Sequence, residues 1–203
     1  FTAGAEYEFS PRARVRSEVA LSRLDLNRFS ALDSEDDLGL AGYTTFEKGF
    51  RLGPDSSGWQ LDTDLSYEFV QETFRSLNPY RDPEFLRDWS LANQQGVGNV
   101  QRATEHLGRA GFTLRRTGLG SLRYAFSGFL RDTLYTGRRH EARFYLNQKG
   151  WEIDANGSLL LSDDRGERNR FFRPRVTLAK SFAALSNWQL GWYGEREKNE
   201  RYA

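Results

Sequence analysis

Cysteine is absent from the 203 residues, which excludes disulfides, thiolate chemistry and cysteine-ligated metals. Methionine is absent as well; a complete translation product begins with one, so the chain is expected to be processed or cut from a longer one. Imidazole is available only from His106 and His140, which lie far apart in sequence. No run approaches ~18 apolar residues, which excludes a membrane-spanning helix, and no basic-then-apolar signal peptide follows Phe1. The formal charge is +1. Nucleic acid is therefore not an expected partner, because its recognition usually needs a strongly basic face.

What is present is a hydrophobic pattern of period two. From Trp59 to Phe69 the odd positions are Trp59, Leu61, Thr63, Leu65, Tyr67 and Phe69, and between them lie Gln60, Asp62, Asp64, Ser66 and Glu68. Successive side chains of a strand point to opposite faces, so this segment has one apolar and one charged face. On a helix the same residues would scatter charge around the whole circumference. Leu122, Tyr124 and Phe126 alternate with Arg123 and Ser127, and Trp151, Ile153 and Leu159 with Glu152, Asp154 and Ser158. Phe172, Val176 and Leu178 alternate with Arg173 and Arg175, and Val15 and Val19 with Arg14, Arg16 and Glu18. Phe129 and Leu160 break the alternation and are taken as isolated exceptions.

The pattern predicts about ten strands, over residues 3–10, 13–26, 38–52, 59–74, 107–117, 121–131, 140–148, 151–162, 171–183 and 187–197. Several exceed the ~5–6 residues usual in globular domains and reach the ~9–11 needed to cross a bilayer at a tilt. Short turns are expected at Ser10–Arg12, Gly53–Gly58, Gly118–Gly120, Asn147–Gly150 and Ala184–Asn187. Longer polar loops are expected at Asn27–Asp37, Arg75–His106, Asp132–Arg139 and Asp163–Arg170. Short and long connections alternate, which in a meander puts all the tight turns at one end of the sheet.

Dyad alternation, strand length, loop asymmetry and aromatic placement together resemble a bacterial outer-membrane β-barrel over nearly the whole chain. Leu26-Asn27-Arg28-Phe29-Ser30 and Arg87-Asp88-Trp89 resemble segments of large outer-membrane proteins of Bacteroidota. The resemblance implies a bacterial outer-membrane location. It also implies outer-membrane lipid as a partner, with room for other outer-membrane or periplasmic subunits. Under it, Trp59, Leu61, Leu65, Tyr67, Leu122, Tyr124, Phe126, Trp151, Ile153, Leu159, Trp188 and Trp192 are the expected lipid-facing residues. Asp62, Asp64, Glu68, Arg123, Arg131, Glu152, Asp154, Arg173 and Arg175 are the expected lumen-facing ones, lining a pore or bracing a closed interior.

Other constellations carry less chemistry. Asp33-Ser34-Glu35-Asp36-Asp37 clusters carboxylates that suit calcium, but without the Asp-x-Asp-x-Asp-Gly spacing, and reads as a solvated loop. Gly96-Val97-Gly98 lacks a phosphate-loop sequence. Asp62 and Asp64 share a strand face about 7 Å apart, a separation compatible with paired-carboxylate chemistry that also arises wherever a face is charged. His140-Glu141 has neither a nucleophile elbow nor triad spacing. No enzyme and no cofactor is expected. Within the long loop, Glu84–Leu91 predicts a short helix that folds into the lumen as a plug, covers the mouth as a lid, or hides an unrecognised strand pair.

The expected fold class is thus all-β: an antiparallel up-and-down meander of about ten long strands, as a transmembrane β-barrel or the open part of a larger one. Residues 1–203 form a single barrel segment, incomplete at both ends, with a long loop insertion at 75–106. Both termini are expected on the long-loop side, and the parent barrel is expected to hold about twelve strands or more under the even-strand rule. The expected function is a passive, transport or translocation conduit. The alternative is a soluble β-sandwich or curved-sheet module that binds carbohydrate or protein.

Overall fold

The computed structural model describes residues 1–24, 37–54, 57–77, 81, 83–91, 102–182 and 188–202. Eleven strands are β1 (Thr2–Ser10), β2 (Ala13–Arg23), β3 (Leu38–Leu52), β4 (Trp59–Val70), β5 (Glu105–Arg116), β6 (Gly120–Arg131), β7 (Tyr135–Gln148), β8 (Trp151–Asp164), β9 (Glu167–Phe182), β10 (Trp188–Glu195) and β11 (Lys198–Tyr202). One helix, α1 (Pro83–Asp88), lies between β4 and β5. β1 through β10 pair antiparallel in sequence order within a single sheet, and β11 also pairs with β9. The sheet is not closed: β1 pairs with β2, and β10 and β11 both pair with β9. Every strand among the described residues lies in this one sheet, so they do not form the two packed sheets of a β-sandwich.

The strands are long because the alternation runs on, in β9 even across Pro174. β3 runs for 15 residues, β7 and β8 for 14 and β9 for 16, beyond the ~9–11 that a tilted crossing requires. β10 and β11 are two parts of one strand. Glu195 pairs with Arg175 and Lys198 with Phe172 in an unchanged register. The break at Arg196 and Glu197 faces Pro174, which has no N–H to donate to the ladder; Arg196 N–H still donates to the Pro174 carbonyl at 3.1 Å.

The connections differ from the expected alternation. Two predicted long loops are tight turns: β7 begins at Tyr135, and β8 joins β9 through Arg165 and Gly166. Lys149-Gly150 and Arg165-Gly166 both hold their two central residues at positive φ, at 52° and 77° and at 52° and 93°. That is the geometry whose twist suits a two-residue hairpin. An Arg in the first position conceals the turn, because Asn, Asp or Gly usually stands there, and the polar residues around it extend the apparent loop. The two long connections that remain, 24–37 and 71–104, leave from the same end of the sheet. At the opposite end β1–β2, β3–β4, β5–β6, β7–β8 and β9–β10 are joined by short connections.

Register fixes the faces. Leu65 stands between Phe46 and Ala110, and Phe126 between Ala110 and His140. Leu159 stands between His140 and Phe172. The apolar positions thus form continuous rows across the sheet. Many of them are open to the surroundings, including Val19, Leu40, Leu65, Tyr67, Phe112, Leu122, Phe144, Trp151, Leu190 and Trp192.

The buried core lies on the other side of the sheet. Phe129, Tyr135, Leu160 and Phe171 belong to the charged face, and they pack with Trp89 and Leu91 from the loop. The loop turns inward directly after β4. A side chain at Gly39 would sit 2.2 Å from the Phe74 backbone, so glycine is what lets the chain cross the start of β3 on its polar side.

Candidate functional site: the polar face and its docked helix

The polar face is a trough of charged side chains. A concavity of about 790 Å³ is lined by residues from β1 through β6, among them Glu8, Arg14, Glu47, Asp62, Asp64 and Arg123. A second, of about 500 Å³, lies against β5 to β10. Asp62, Asp64, Glu68, Arg123, Arg131, Glu152, Asp154, Arg173 and Arg175 all fall on this face by register. Trp59, Leu61, Leu65, Tyr67, Leu122, Tyr124, Phe126, Trp151, Ile153, Leu159 and Trp192 fall on the opposite one. Trp188 pairs with Phe182; its side chain lies outside the described residues. So do Gly96-Val97-Gly98 and all of the acidic loop except Asp37.

The carboxylates of β4 lean toward cations on neighbouring strands. Asp62 meets Arg115 at 3.0 Å, and Asp64 lies 4.0 Å from Arg109 and 3.7 Å from Arg123. Glycine makes room for this: a Cβ at Gly111 would sit 2.8 Å from the Asp64 carboxylate, and one at Gly49 would sit 3.0 Å from Asp62 Oδ1. Glu68 and Glu105 clamp Arg81 of the loop at 2.6 and 2.9 Å, and Glu105 also holds Arg131 at 3.1 Å. Both aspartates of β4 thus have arginines as their neighbours, Asp62 at hydrogen-bond distance and Asp64 at longer range. His140 and Glu141 point to opposite faces. His140 accepts or donates a hydrogen bond with the Tyr124 hydroxyl at 2.8 Å on the apolar side, while Glu141 binds Arg139 at 3.0 Å in the trough.

The loop reaches into the trough at its long-loop end. Phe85 meets Phe129 edge-on, with ring centroids 5.2 Å apart at 88°, and Trp89 lies 5.3 Å from Phe129. The buried Tyr135 hydroxyl donates to the Trp89 carbonyl at 2.6 Å, which satisfies a polar group at the otherwise apolar contact. The Arg81 guanidinium stacks 4.2 Å from the Phe85 ring. Asp88 at the end of α1 reaches Arg139 at 2.8 Å and Arg173 at 3.5 Å. The described part of the loop, Arg81 and residues 83–91, docks on the charged face.

Phe129 and Leu160 therefore need correction as isolated exceptions to the alternation. Together with Phe171 and Tyr135 they are the apolar socket of the helix. Their spacing in sequence could not show this, because the four come from β6, β8, β9 and β7 and meet only through register. Gly137 completes the socket, since a Cβ there would stand 2.8 Å from Trp89 Cε3 and 2.6 Å from the Tyr135 hydroxyl. Gly137→Val is expected to displace the Trp89 ring at a cost of about 1–3 kcal/mol, the usual range for overpacking. Tryptophan fluorescence with an aqueous quencher should report it as increased accessibility at Trp89. Unchanged quenching would mean that Trp89 does not depend on the space above Gly137.

Compared with protein-family models, curated proteins and solved structures, the chain matches none.

Proposed function

We propose that this chain is one wall of a bacterial outer-membrane β-barrel, that its apolar face meets lipid, and that its charged face lines a conduit. The observation that carries this reading is the uncovered apolar face. Strands of 12 to 16 residues present exposed Leu, Phe, Tyr and Trp on one side, while the only apolar cluster among the described residues sits on the other. A water-soluble protein rarely leaves so extended an apolar surface bare, whereas a barrel strand alternates apolar-out with polar-in.

Aromatic placement supports the same orientation. Trp59 and Trp151 begin their strands at the short-turn end. Arg116 lies 5.7 Å from the Trp59 ring and Lys180 4.8 Å from the Trp151 ring. Tryptophan beside a long cationic side chain suits the level where acyl chains meet headgroups. The open edges at β1 and at β10/β11 are read as the places where further strands of a larger, even-numbered barrel pair, because a bare edge within the bilayer leaves backbone groups without partners. In this assembly the docked loop narrows the lumen from the long-loop end.

Fractionation of cells that express the chain tests the proposal. It is expected to stay with the outer-membrane pellet through high-salt and alkaline washes and to be released by detergent. Recovery in the wash, folded and free of lipid, would overturn the membrane reading in favour of a curved-sheet module that binds carbohydrate or protein.

A further inference from the structure

The trough between β5 and β9 carries an arrangement that bracing alone does not require. Arg123 on β6 and Arg143 on β7 are direct cross-strand partners, and like charges placed opposite each other are destabilising. Two rows further toward α1 on the same face, Arg109 and Arg139 flank Ser127 from either side. Arg173 and Arg175 project from β9 into the same concavity of about 500 Å³. Its floor is built from short side chains, Ala125, Asn156 and Ser158, which leave the space open above them.

The pairing of these arginines is incomplete. Arg143 binds Asp154 at 2.8 Å and Arg139 binds Glu141 at 3.0 Å. Arg123 stands 3.7 Å from Asp64, and Arg109 stands 4.0 Å from Asp64 and 3.9 Å from Glu141, beyond hydrogen-bond distance. The Nε atoms of Arg109 and Arg173 are buried and have no hydrogen-bond partner among the described residues. Asp88 of the docked loop fills part of this deficit by bridging Arg139 and Arg173.

We infer that Arg109, Arg123, Arg139, Arg143, Arg173 and Arg175 form a binding site for compact polyanions, and that Asp88 is its built-in competitor. Guanidinium forks match the paired oxygens of phosphate and carboxylate groups, and the convergence of several forks on one concavity selects more than one negative charge. A bound polyanion supplies oxygens to Arg109 and Arg123, relieves the repulsion between Arg123 and Arg143, and contends with the Asp88 carboxylate for Arg139 and Arg173. As a substrate class for the conduit this rests on the proposed function; as a binding site it does not.

Calorimetric titration of the full chain in zwitterionic micelles at constant ionic strength tests the site. Inorganic pyrophosphate and citrate are the two probes, and they distinguish phosphoryl from carboxylate ligands. Saturable binding of at least one is expected. Arg123→Gln with Arg143→Gln should weaken it by about tenfold or more, because two charge-assisted hydrogen bonds are lost. Asp88→Asn removes no cation and should tighten it several-fold. Arg115→Gln, on the same face but paired with Asp62, should leave it unchanged. No saturable heat with either probe would overturn the site, as would equal weakening by Arg115→Gln or weaker binding in Asp88→Asn. The Asp88→Asn arm still decides the matter if the double arginine variant fails to fold. Binding in micelles by a chain that fails to enter membranes would sink the conduit and leave the site standing; membrane insertion without binding would do the reverse.

Discussion

Leu65→Arg is expected to destabilise the folded chain in a bilayer by about 2–4 kcal/mol, the usual cost of a cation on the lipid face near the midplane. Leu65 is the seventh of the twelve residues of β4 and is half exposed on the apolar face. Phe46 and Ala110 stand beside it on the neighbouring strands, and neither can offer a counter-charge or a hydrogen bond. Under the proposed orientation a guanidinium there meets hydrocarbon, and at mid-strand it has a long way to reach either interface. Ser66→Arg, one residue further on, places the same group in the trough. It then lies opposite Arg109, a repulsion worth only ~0.2–1 kcal/mol, with Asp64 and Glu68 two residues away on the same face. Folding into liposomes, followed by urea titration, compares the two. Equal losses would contradict the assignment of the apolar face to lipid, and a larger loss for Ser66→Arg would invert it.

Phe129→Ala carries the second large effect, and sequence pattern alone would place it elsewhere. By alternation Phe126 belongs to the apolar stripe and Phe129 is an intruder on the polar side. In the structure Phe129 is fully buried, at 0% exposure, in ring contact with Phe85, Trp89 and Tyr135. Truncating a buried Phe to Ala typically costs about 3–5 kcal/mol through lost contacts and the cavity left behind. Here that cost falls on the contact between loop and sheet. The helix is expected to release, exposing the part-buried Arg81 to trypsin and loosening the backbone around the already exposed Arg87, while the strands keep their pairing. Phe126→Ala removes a side chain from a face that has no second protein layer among the described residues and should be milder. Limited proteolysis and equilibrium unfolding of the two variants check the order. A sheet that unravels with the loop in Phe129→Ala would show that the docked segment is part of the core rather than a separable element.

The positions of most strands were legible from the sequence because strand alternation is a local property. Trp59 through Phe69 display their two faces without reference to any other part of the chain, and β4 begins at the predicted residue. It ends at Val70 rather than at the expected residue 74, since Gln71-Glu72-Thr73-Phe74 carries no proline or glycine to mark where pairing stops. The turn Arg165-Gly166 was missed for a related reason. Positive φ at Arg165 is imposed by the hairpin on a residue whose type does not announce it.

Local periodicity also separated the charged from the apolar positions, so the residues of the trough could be named in advance. Which of them meet was a matter of register, and register sums over pairings that no single segment contains. Arg123 and Arg143 are 20 residues apart in sequence and directly opposite in the sheet. Asp88 reaches Arg173 across 85 positions. Sequence by itself determined that this chain makes long, two-faced antiparallel strands, because side-chain direction along a strand follows from backbone geometry at each residue. Only the tertiary structure decided that the loop folds onto the charged face. Phe129, Tyr135, Leu160 and Phe171 become an apolar surface only after four strands have aligned them, and that surface, once formed, is where Trp89 and Leu91 leave water.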